Sequence, residues 1–388
     1  MAPENVAELI WSLVDRSLVV ADLTANATRY RLLESTQRYG RRLLDESGET
    51  VGVATRLAGS LLEGLGPWVP VDRRWVGDVG VELDNLRALV PLVATHQPEL
   101  AQELACTIGR YHDASQTYRD GIEEVGSYAE ALPAPSPTRV SLLTILADLH
   151  LRIGEVDPAR WLVEDAEALR EKHGAPSWDG VGVDRTRGEV ARRSGDLAGA
   201  VQIAREGLER PLYDRDRSRM FNLLGTTLTA LGDLEAAYVA FAEELELNRS
   251  VGHEAYVASA QGNLAEVAMR LGDTANAARH QDACLELAVA DGSKALIAFS
   301  LIMAARLAGE AGAWAEATRL HAQGDALLEE LGLALYDDDR LQSDELLAGA
   351  REELGDADYA RNAAAGRGID LLEAVALARS LFAKTQRR

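Results

Sequence analysis

Residues 221–241 read FNLLGTTLTALGDLEAAYVAF and outline two helices joined by a turn. In the first half, apolar or small residues recur at the i, i+3, i+4 and i+7 spacing of one helix face, namely Phe221, Leu224, Gly225 and Leu228. Gly232 supplies the positive-φ residue that ends this helix. In the second half, Ala237 and Phe241 lie four residues apart and form the facing stripe. The stretch therefore predicts a helical hairpin.

The same turn returns along the chain at a nearly constant interval. Five segments share the end of one helix, a glycine turn and a restart at small residues, and their turn glycines are Gly154, Gly195, Gly232, Gly272 and Gly312. By subtraction, successive glycines are 41, 37, 40 and 40 residues apart. The acidic residue that follows most of them is expected to cap the second helix by accepting hydrogen bonds from its free amides. Five residues after each glycine, an alanine is expected to let the two helices approach closely: Ala159, Ala200, Ala237, Ala277 and Ala317.

This pattern resembles the tetratricopeptide repeat (TPR), whose consensus places aromatic, Leu, Gly, Gly, Ala and aromatic residues at the same offsets. The resemblance implies an all-α protein, a TPR-like right-handed superhelical solenoid. The period is nearer 40 than the usual 34 residues and the closing proline is missing, so we expect the second helices to be longer. We assign five TPR-like repeats to residues 136–335. A non-repetitive helical bundle is the alternative.

The flanking segments do not follow the repeat. Residues 8–14 and 34–44 are predicted to be helices, and residues 17–21 and 28–33 are predicted to be strands. Helix, two-stranded ribbon and helix make the second half of a winged helix, so residues 1–48 are assigned to a small N-terminal winged-helix remnant. The rest of the flanks is assigned to helical connector hairpins (49–135) and C-terminal capping helices (336–388).

A second resemblance extends over nearly the whole chain. LVDRSLV (13–19), RYRLLE (29–34), RYGRRLL (38–44), ELDNLRA (82–88) and GRGIDLLEAV (366–375) are similar to the region after the ATPase core in bacterial STAND regulators of the LuxR, SARP and cyclase-linked types. That resemblance implies a sensor that controls an ATPase domain. However, the chain has no GxxxxGK[ST] phosphate-binding loop, since the segment from Gly292 to Lys294 lacks the upstream glycine and the following hydroxyl. We therefore expect the sensor half of such a regulator, as part of a longer protein or encoded without its motor.

Charge and composition restrict the partners. The net charge of −22 repels phosphate backbones, so direct nucleic-acid binding is not expected. A cluster in the winged-helix remnant has the opposite sign: Arg29, Arg31, Arg38, Arg41 and Arg42. A winged helix can bind DNA through such residues, but the helices of the reading head are missing, so arginines facing a nucleotide domain or the repeats are the preferred interpretation. Without a signal peptide or a long apolar run, a cytoplasmic protein that does not bind membranes is expected.

The sequence does not predict a catalytic, cofactor or metal site. Its seven histidines, His253 among them, form no HExxH or His–Cys cluster, and no GxSxG nucleophile motif occurs. Cys106 and Cys284 form no CxxC pair and lie in apolar surroundings, as expected for buried thiols in a reducing compartment. We therefore expect a protein that is not an enzyme.

A ligand is expected on the concave groove that the first helices of a solenoid line. The groove positions of the repeat give Arg152 and then the candidate site residues Arg185, Glu189, Arg192, Arg219, Asn222, Thr226, Asn263, Glu266, Arg270 and Arg306. Ile302 and Met303 are expected to add apolar surface near the end. The arginines suggest a protein or peptide segment that carries carboxylates, and Asn263 resembles the asparagine that pairs with a ligand backbone in peptide-binding TPR proteins. The alternative, which has equal weight, is that these polar side chains are ordinary solvated residues of the groove and bind no ligand.

Together these observations favour a non-enzymatic sensor module of a signalling or transcriptional regulator. Its partners would be a protein, peptide or small ligand in the groove and an ATPase domain in cis or in trans. A free-standing TPR scaffold that bridges two proteins is the alternative, and an accessory subunit of an enzyme is the third interpretation.

Overall fold

The computed structural model describes residues 3–22, 28–66, 73–174, 182–210, 212–252, 254–333, 335 and 337–387. Within these ranges the chain consists of helices and one short antiparallel ribbon, β1 (Val19–Asp22) and β2 (Arg29–Leu32), in which Val19 lies opposite Leu32. The helices are α1 (Pro3–Asp15), α2 (Glu34–Ser47), α3 (Thr50–Leu65), α4 (Arg73–Val93), α5 (Pro98–Ala114), α6 (Tyr118–Ala131), α7 (Pro137–Arg152), α8 (Val156–His173), α9 (Gly182–Arg193), α10 (Leu197–Leu208), α11 (Asp214–Leu231), α12 (Leu234–Ser250), α13 (Glu254–Arg270), α14 (Thr274–Asp291), α15 (Lys294–Glu310), α16 (Trp314–Leu331), α17 (Asp337–Leu354), α18 (Asp356–Arg367) and α19 (Leu371–Thr385).

Consecutive helices from α7 to α16 pair into five hairpins that stack side by side. The first helices, α7, α9, α11, α13 and α15, each contact the first helix of the next hairpin. In the described ranges the second helices of successive hairpins do not pack closely on one another. The stack therefore curves with the first helices on its inner, concave side. This confirms the predicted all-α, TPR-like solenoid with a short N-terminal ribbon.

The turn between the helices of each hairpin has the predicted form. The five turn glycines have φ values of 84°, 87°, 82°, 80° and 73°, in the left-handed region that side chains disfavour. The alanine five residues after each of them is fully buried. Both features follow from the need to reverse the chain tightly and then bring two helices into contact.

The cap prediction is confirmed at three turns and wrong at one. Asp196, Asp233 and Asp273 each accept a hydrogen bond from the backbone N–H three residues later. Glu155 makes no such bond, and its carboxylate contacts Nδ1 of His150 at 2.7 Å. The longer glutamate side chain reaches back to the end of the preceding helix and leaves its own helix uncapped.

This difference predicts unequal effects of two alanine substitutions. Asp233→Ala should lower the free energy of unfolding by about 1 kcal/mol, because the first turn of α12 loses its cap. Glu155→Ala should change it by less than about 0.5 kcal/mol, because only an exposed ion pair is lost. Urea unfolding followed by circular dichroism measures both values. Equal losses would show that the aspartate does not act as a cap.

The lengthening expected for the second helices extends to the first helices of these hairpins as well. The first helices α11, α13 and α15 have 18, 17 and 17 residues, and their partners α12, α14 and α16 have 17, 18 and 18. The residues beyond the usual period are thus shared by both helices of a hairpin. A helix that is longer than its partner would present apolar surface with nothing to cover it.

One of the connector hairpins resembles the repeats more closely than the sequence predicts. The helices α5 and α6 pair and stack on α7, and the turn between them is formed by Gln116, with φ of 61° in place of a glycine. Gln116 precedes Gly154 by 38 residues, by subtraction, which is close to the period of the repeat. Five residues later Gly121 replaces the usual alanine, and a Cβ there would lie 2.6 Å from the Cβ of His112.

The N-terminal segment matches the predicted order of helix, two strands and helix. Helix α2 extends three residues beyond the predicted end, to Ser47, and is followed by Gly48, whose φ is 69°. Arg29 of the ribbon forms an ion pair with Glu82 of α4, which ties the ribbon to the helical stack. At the other end of the chain α19 packs on α14, α15 and α16 and covers the last hairpin.

Candidate functional site

The ten candidate site residues all lie on first helices of the hairpins. They are Arg185, Glu189 and Arg192 on α9, Arg219, Asn222 and Thr226 on α11, Asn263, Glu266 and Arg270 on α13, and Arg306 on α15. Each of the ten is half-buried, neither fully exposed nor fully covered. The repeat register therefore placed all of them on the helices that form the concave face.

Three ion pairs connect first helices of successive hairpins across this face. Arg152 on α7 donates to Asp113 on α5 at 2.9 Å. Arg185 on α9 pairs with Asp148 on α7, and Arg306 on α15 pairs with Glu266 on α13. The repeat register predicts the arginines from the sequence. Asp113 and Asp148 were not among the predicted residues, although the same register, applied one repeat earlier, places them on this face. The arginine-rich groove is thus largely neutralised by its own carboxylates.

The pKa values of the paired groups reflect these contacts. The carboxylate of Asp113 raises the pKa of Arg152 well above its usual range. On α9, burial favours the neutral form of Glu189, but hydrogen bonds from Arg192 and Arg193 outweigh it and lower the pKa of Glu189 to about 2. Glu189 and Arg152 therefore stay charged at neutral pH.

The curvature brings distant hairpins towards a common inner space. Burial raises the pKa of Tyr256 on α13, and the charges of Arg219 and of Asp113 on α5 also act on it. Nε2 of Gln116 lies 3.5 Å from Oγ of Ser293, in the turn between α14 and α15. Leu333, after α16, packs against both the apolar core around α3–α9 and the core around α14–α19. The ends of the stack therefore touch, and the concave face lies inside the resulting curve.

Helix α13 carries polar side chains along the concave face. Asn263 and Arg270 are spaced by seven residues and share one side of the helix. The side chains of Asn263 and Arg270 make no hydrogen bond or ion pair with any residue in the described ranges. Between them, Oε1 of Glu266 is buried and has no hydrogen-bond partner there. This segment of α13 offers a donor, an acceptor and a cation to a ligand.

Other candidate residues are directed into the protein. Nδ2 of Asn222 donates to the buried carboxyl group of Glu244 at 3.1 Å, and Oγ1 of Thr226 donates to the carbonyl of Asn222 at 2.9 Å. The expectation that Ile302 and Met303 line the groove is wrong, since they are 5% and 6% exposed. Ile302 fills the space beside Gly324 inside its own hairpin. In that hairpin the apolar stripe extends further round the first helix than the repeat register assumes.

The basic N-terminal cluster is partly paired within its own segment. Besides the contact of Arg29 with Glu82, Arg38 pairs with Glu34, and Arg42 lies 3.6 Å from Glu46 and over the ring of Tyr39. Apolar residues beside the cluster are exposed, including Leu9 at 51% and Trp11 at 56%.

The described residues contain no group of three or more His, Cys, Asp or Glu side chains that could hold a metal ion. His253 lies outside them. Both cysteines are buried, and burial raises the pKa of Cys284 to about 11, so its thiol is neutral. In the part of the chain covered by the structure, no helix has the length and apolarity that crossing a membrane requires.

No protein-family model matches the chain. Among curated proteins, an HTH-type transcriptional regulator of Mycobacterium tuberculosis and its Mycobacterium bovis counterpart are 42% identical over 95 residues, which cover 22% of this chain and 10% of the relative. The chain thus aligns with about a tenth of the length of these relatives.

Two solved structures show similar helical arrangements. A Rap protein complexed with competence and sporulation factor has a TM-score of 0.51 at 12% identity, over 88% of this chain and 99% of that one. The STAND protein with a tetratricopeptide repeat sensor from Pyrococcus horikoshii has a TM-score of 0.47 at 14% identity, over 89% of this chain and 57% of that one. The fold is that of the TPR-like helical-repeat proteins.

Proposed function

We propose that the chain is a non-enzymatic protein-interaction module whose concave face, centred on α13, binds an extended peptide or protein segment. The observation that carries this proposal is a pair of polar side chains, Asn263 and Arg270, which have no partner among the described residues and lie on a face that curvature surrounds with other helices. An asparagine amide can both donate to a peptide carbonyl and accept from a peptide N–H. A free, half-buried guanidinium favours a carboxylate.

The ion pairs define the ligand further. Most groove arginines already contact a carboxylate, so a polyanion would have to displace Asp113 or Asp148 to reach them. A peptide could instead place one acidic residue at Arg270 and its backbone amide groups at Asn263. Such a ligand would not have to displace Asp113 or Asp148. The acidic character expected from the sequence is thus limited to one position of the segment.

We further propose that the module is the sensor region of a cytoplasmic signalling or transcriptional regulator. The segment of 42% identity to mycobacterial regulators supports this role. In this proposal residues 1–48 are a partial winged helix, residues 49–135 are connector hairpins, residues 136–335 are the repeats and residues 336–388 are the cap. Ligand binding in the groove would change the activity of an ATPase domain in cis or in trans.

Selection from a random peptide library displayed on phage tests the groove directly. Peptides enriched on the unmodified chain should bind Asn263→Ala and Arg270→Ala at least about tenfold more weakly, because each variant removes a polar contact to the ligand. Fluorescence anisotropy of synthetic copies measures the affinities.

Arg249→Ala is the matched control, since Arg249 is an exposed arginine on the second helix α12, paired with Glu246. It should leave the affinity unchanged. Enriched peptides that bind all variants equally, or a library that yields no enriched peptide, would contradict the proposal.

A further inference from the structure

A second cavity lies away from the groove, where α16, α17 and α18 meet. Its volume is about 340 Å³, room for roughly eleven waters at ~30 Å³ each and close to the lower limit of known ligand pockets. Each of the three helices contributes residues spaced three, four or seven apart, so one face of each helix forms a wall. This volume is large enough for a free amino acid together with a few waters.

Two of the lining residues are buried polar groups with unused hydrogen-bonding capacity. His321 on α16 is 6% exposed and Ser343 on α17 is 3% exposed. Nε2 of His321 and Oγ of Ser343 have no hydrogen-bond partner among the described residues. Buried polar atoms are nearly always paired in proteins, so two unpaired ones beside the same cavity indicate a missing partner. Burial lowers the pKa of His321, which is therefore a neutral imidazole at pH 7.

The walls near these two atoms carry both signs of charge. Asp344 on α17 is exposed and makes no ion pair or hydrogen bond within the described ranges. Asp325 on α16 is held at 2.9 Å by Arg367 of α18, and Arg367 also contacts Glu329 at 2.8 Å. Arg340 lines the cavity on the α17 side. The cavity lining thus contains two carboxylates, of which that of Asp325 is paired with Arg367, and two guanidinium groups. These charges lie around the neutral side chains of His321 and Ser343.

We infer that this cavity is a binding site for a small zwitterion of the amino-acid class, distinct from the concave groove. The ammonium group of the ligand would contact Asp344 and Asp325. Its carboxylate would contact Arg340 and accept hydrogen bonds from Ser343 and His321, which supplies both buried atoms with a partner. A purely anionic ligand would leave Asp344 unpaired beside it, and a purely apolar one would leave the two buried atoms unpaired.

Isothermal titration calorimetry with glycine, L-serine, L-leucine, L-lysine and L-glutamate tests the inference on the full chain. At least one of these amino acids should bind. Its N-acetyl derivative, which lacks the ammonium group, and its amide, which lacks the carboxylate, should each bind at least about tenfold more weakly.

Two variants and two controls locate the site. Asp344→Asn and Ser343→Ala should each weaken binding by about tenfold or more, and Ser343→Ala should fold normally, because its hydroxyl has no partner to lose in the described structure. Glu345→Gln, one residue further on the exposed side of α17, should leave the affinity unchanged. Asn263→Ala, in the groove, should also leave it unchanged, which separates this site from the proposed function.

The inference is overturned if none of the five amino acids releases heat above the buffer control. It is equally overturned if Asp344→Asn and Glu345→Gln bind alike, or if the derivatives bind as tightly as the free amino acid. Thermal melting of each variant shows whether a lost signal reflects binding or folding.

Discussion

Gly225→Ala should lower the free energy of unfolding by about 1–3 kcal/mol, although alanine is the better helix former. Gly225 lies on α11 where it faces α12, and a Cβ at this position would lie 2.6 to 2.8 Å from three ring atoms of Phe241. Phe241 is 2% exposed and belongs to the core shared by α11, α12 and α13, so its ring cannot move outward freely. Urea unfolding followed by circular dichroism measures the loss.

Gly126→Ala is the matched control. Gly126 also lies inside a helix, α6, and nothing is within 4 Å of its hypothetical Cβ. Substitution there should stabilise the protein by up to about 1 kcal/mol, the difference in helix propensity. The two substitutions are chemically identical, so the difference between them isolates the contact with Phe241.

A double substitution tests the contact itself. Phe241→Leu alone should destabilise the protein, because a buried ring leaves space behind. In that background Gly225→Ala should cost less than it does alone, since its methyl group enters the vacated space. Additive losses, or a stabilising effect of Gly225→Ala alone, would show that the two residues do not determine the distance between the helices.

The contact between Gly225 and Phe241 also shows which features of the fold the sequence determines. Residues that must be small or must have positive φ recur at fixed offsets, so the turns at Gly154 to Gly312 and the alanines after them were predictable. The hairpin of α5 and α6 was assigned to the connector and not to the repeats, because Gln116 adopts the left-handed conformation that a search for glycine cannot detect. At position 121 a glycine replaces the alanine that follows the other turns, so the second feature of the repeat is absent from the sequence as well.

The site was less predictable, for a physical reason. A repeat register specifies the direction of a side chain from its own helix, so all ten candidate residues were placed on the correct helices. It does not specify what lies opposite. The pairing of Arg152 with Asp113, and of Arg185 with Asp148, depends on how far the stack curves, and curvature results from packing between hairpins.

Glu244 is the clearest group that the sequence could not single out. It lies among many glutamates of α12, yet it is 1% exposed and accepts a hydrogen bond from Asn222. Burial raises its pKa from 4.5 to about 8, while the hydrogen bond from Asn222 partly opposes the rise. In the folded protein this carboxyl group is therefore protonated at neutral pH.

The protein should lose stability as pH rises from 4.5 to about 8, by at most about 5 kcal/mol from this group. The folded state has the higher pKa, so between 4.5 and about 8 it holds a proton that the unfolded chain releases. The contribution is complete below pH 4.5 and is lost as pH rises through the folded-state value. Urea unfolding at a series of pH values from below 4.5 to above 8 measures the slope.

Glu244→Gln should remove this part of the pH dependence and make the protein more stable than the unmodified chain above pH 8. Glutamine keeps a carbonyl oxygen to accept from Asn222 and cannot ionise. Glu246→Gln is the control, because Glu246 is 72% exposed on the same helix and pairs only with Arg249 among the described residues, so its variant should keep the slope. If Glu244→Gln retains the slope, the carboxyl group ionises in the folded state at ordinary pH, and the polar contact between α11 and α12 is then held by a charge and not by a neutral acid.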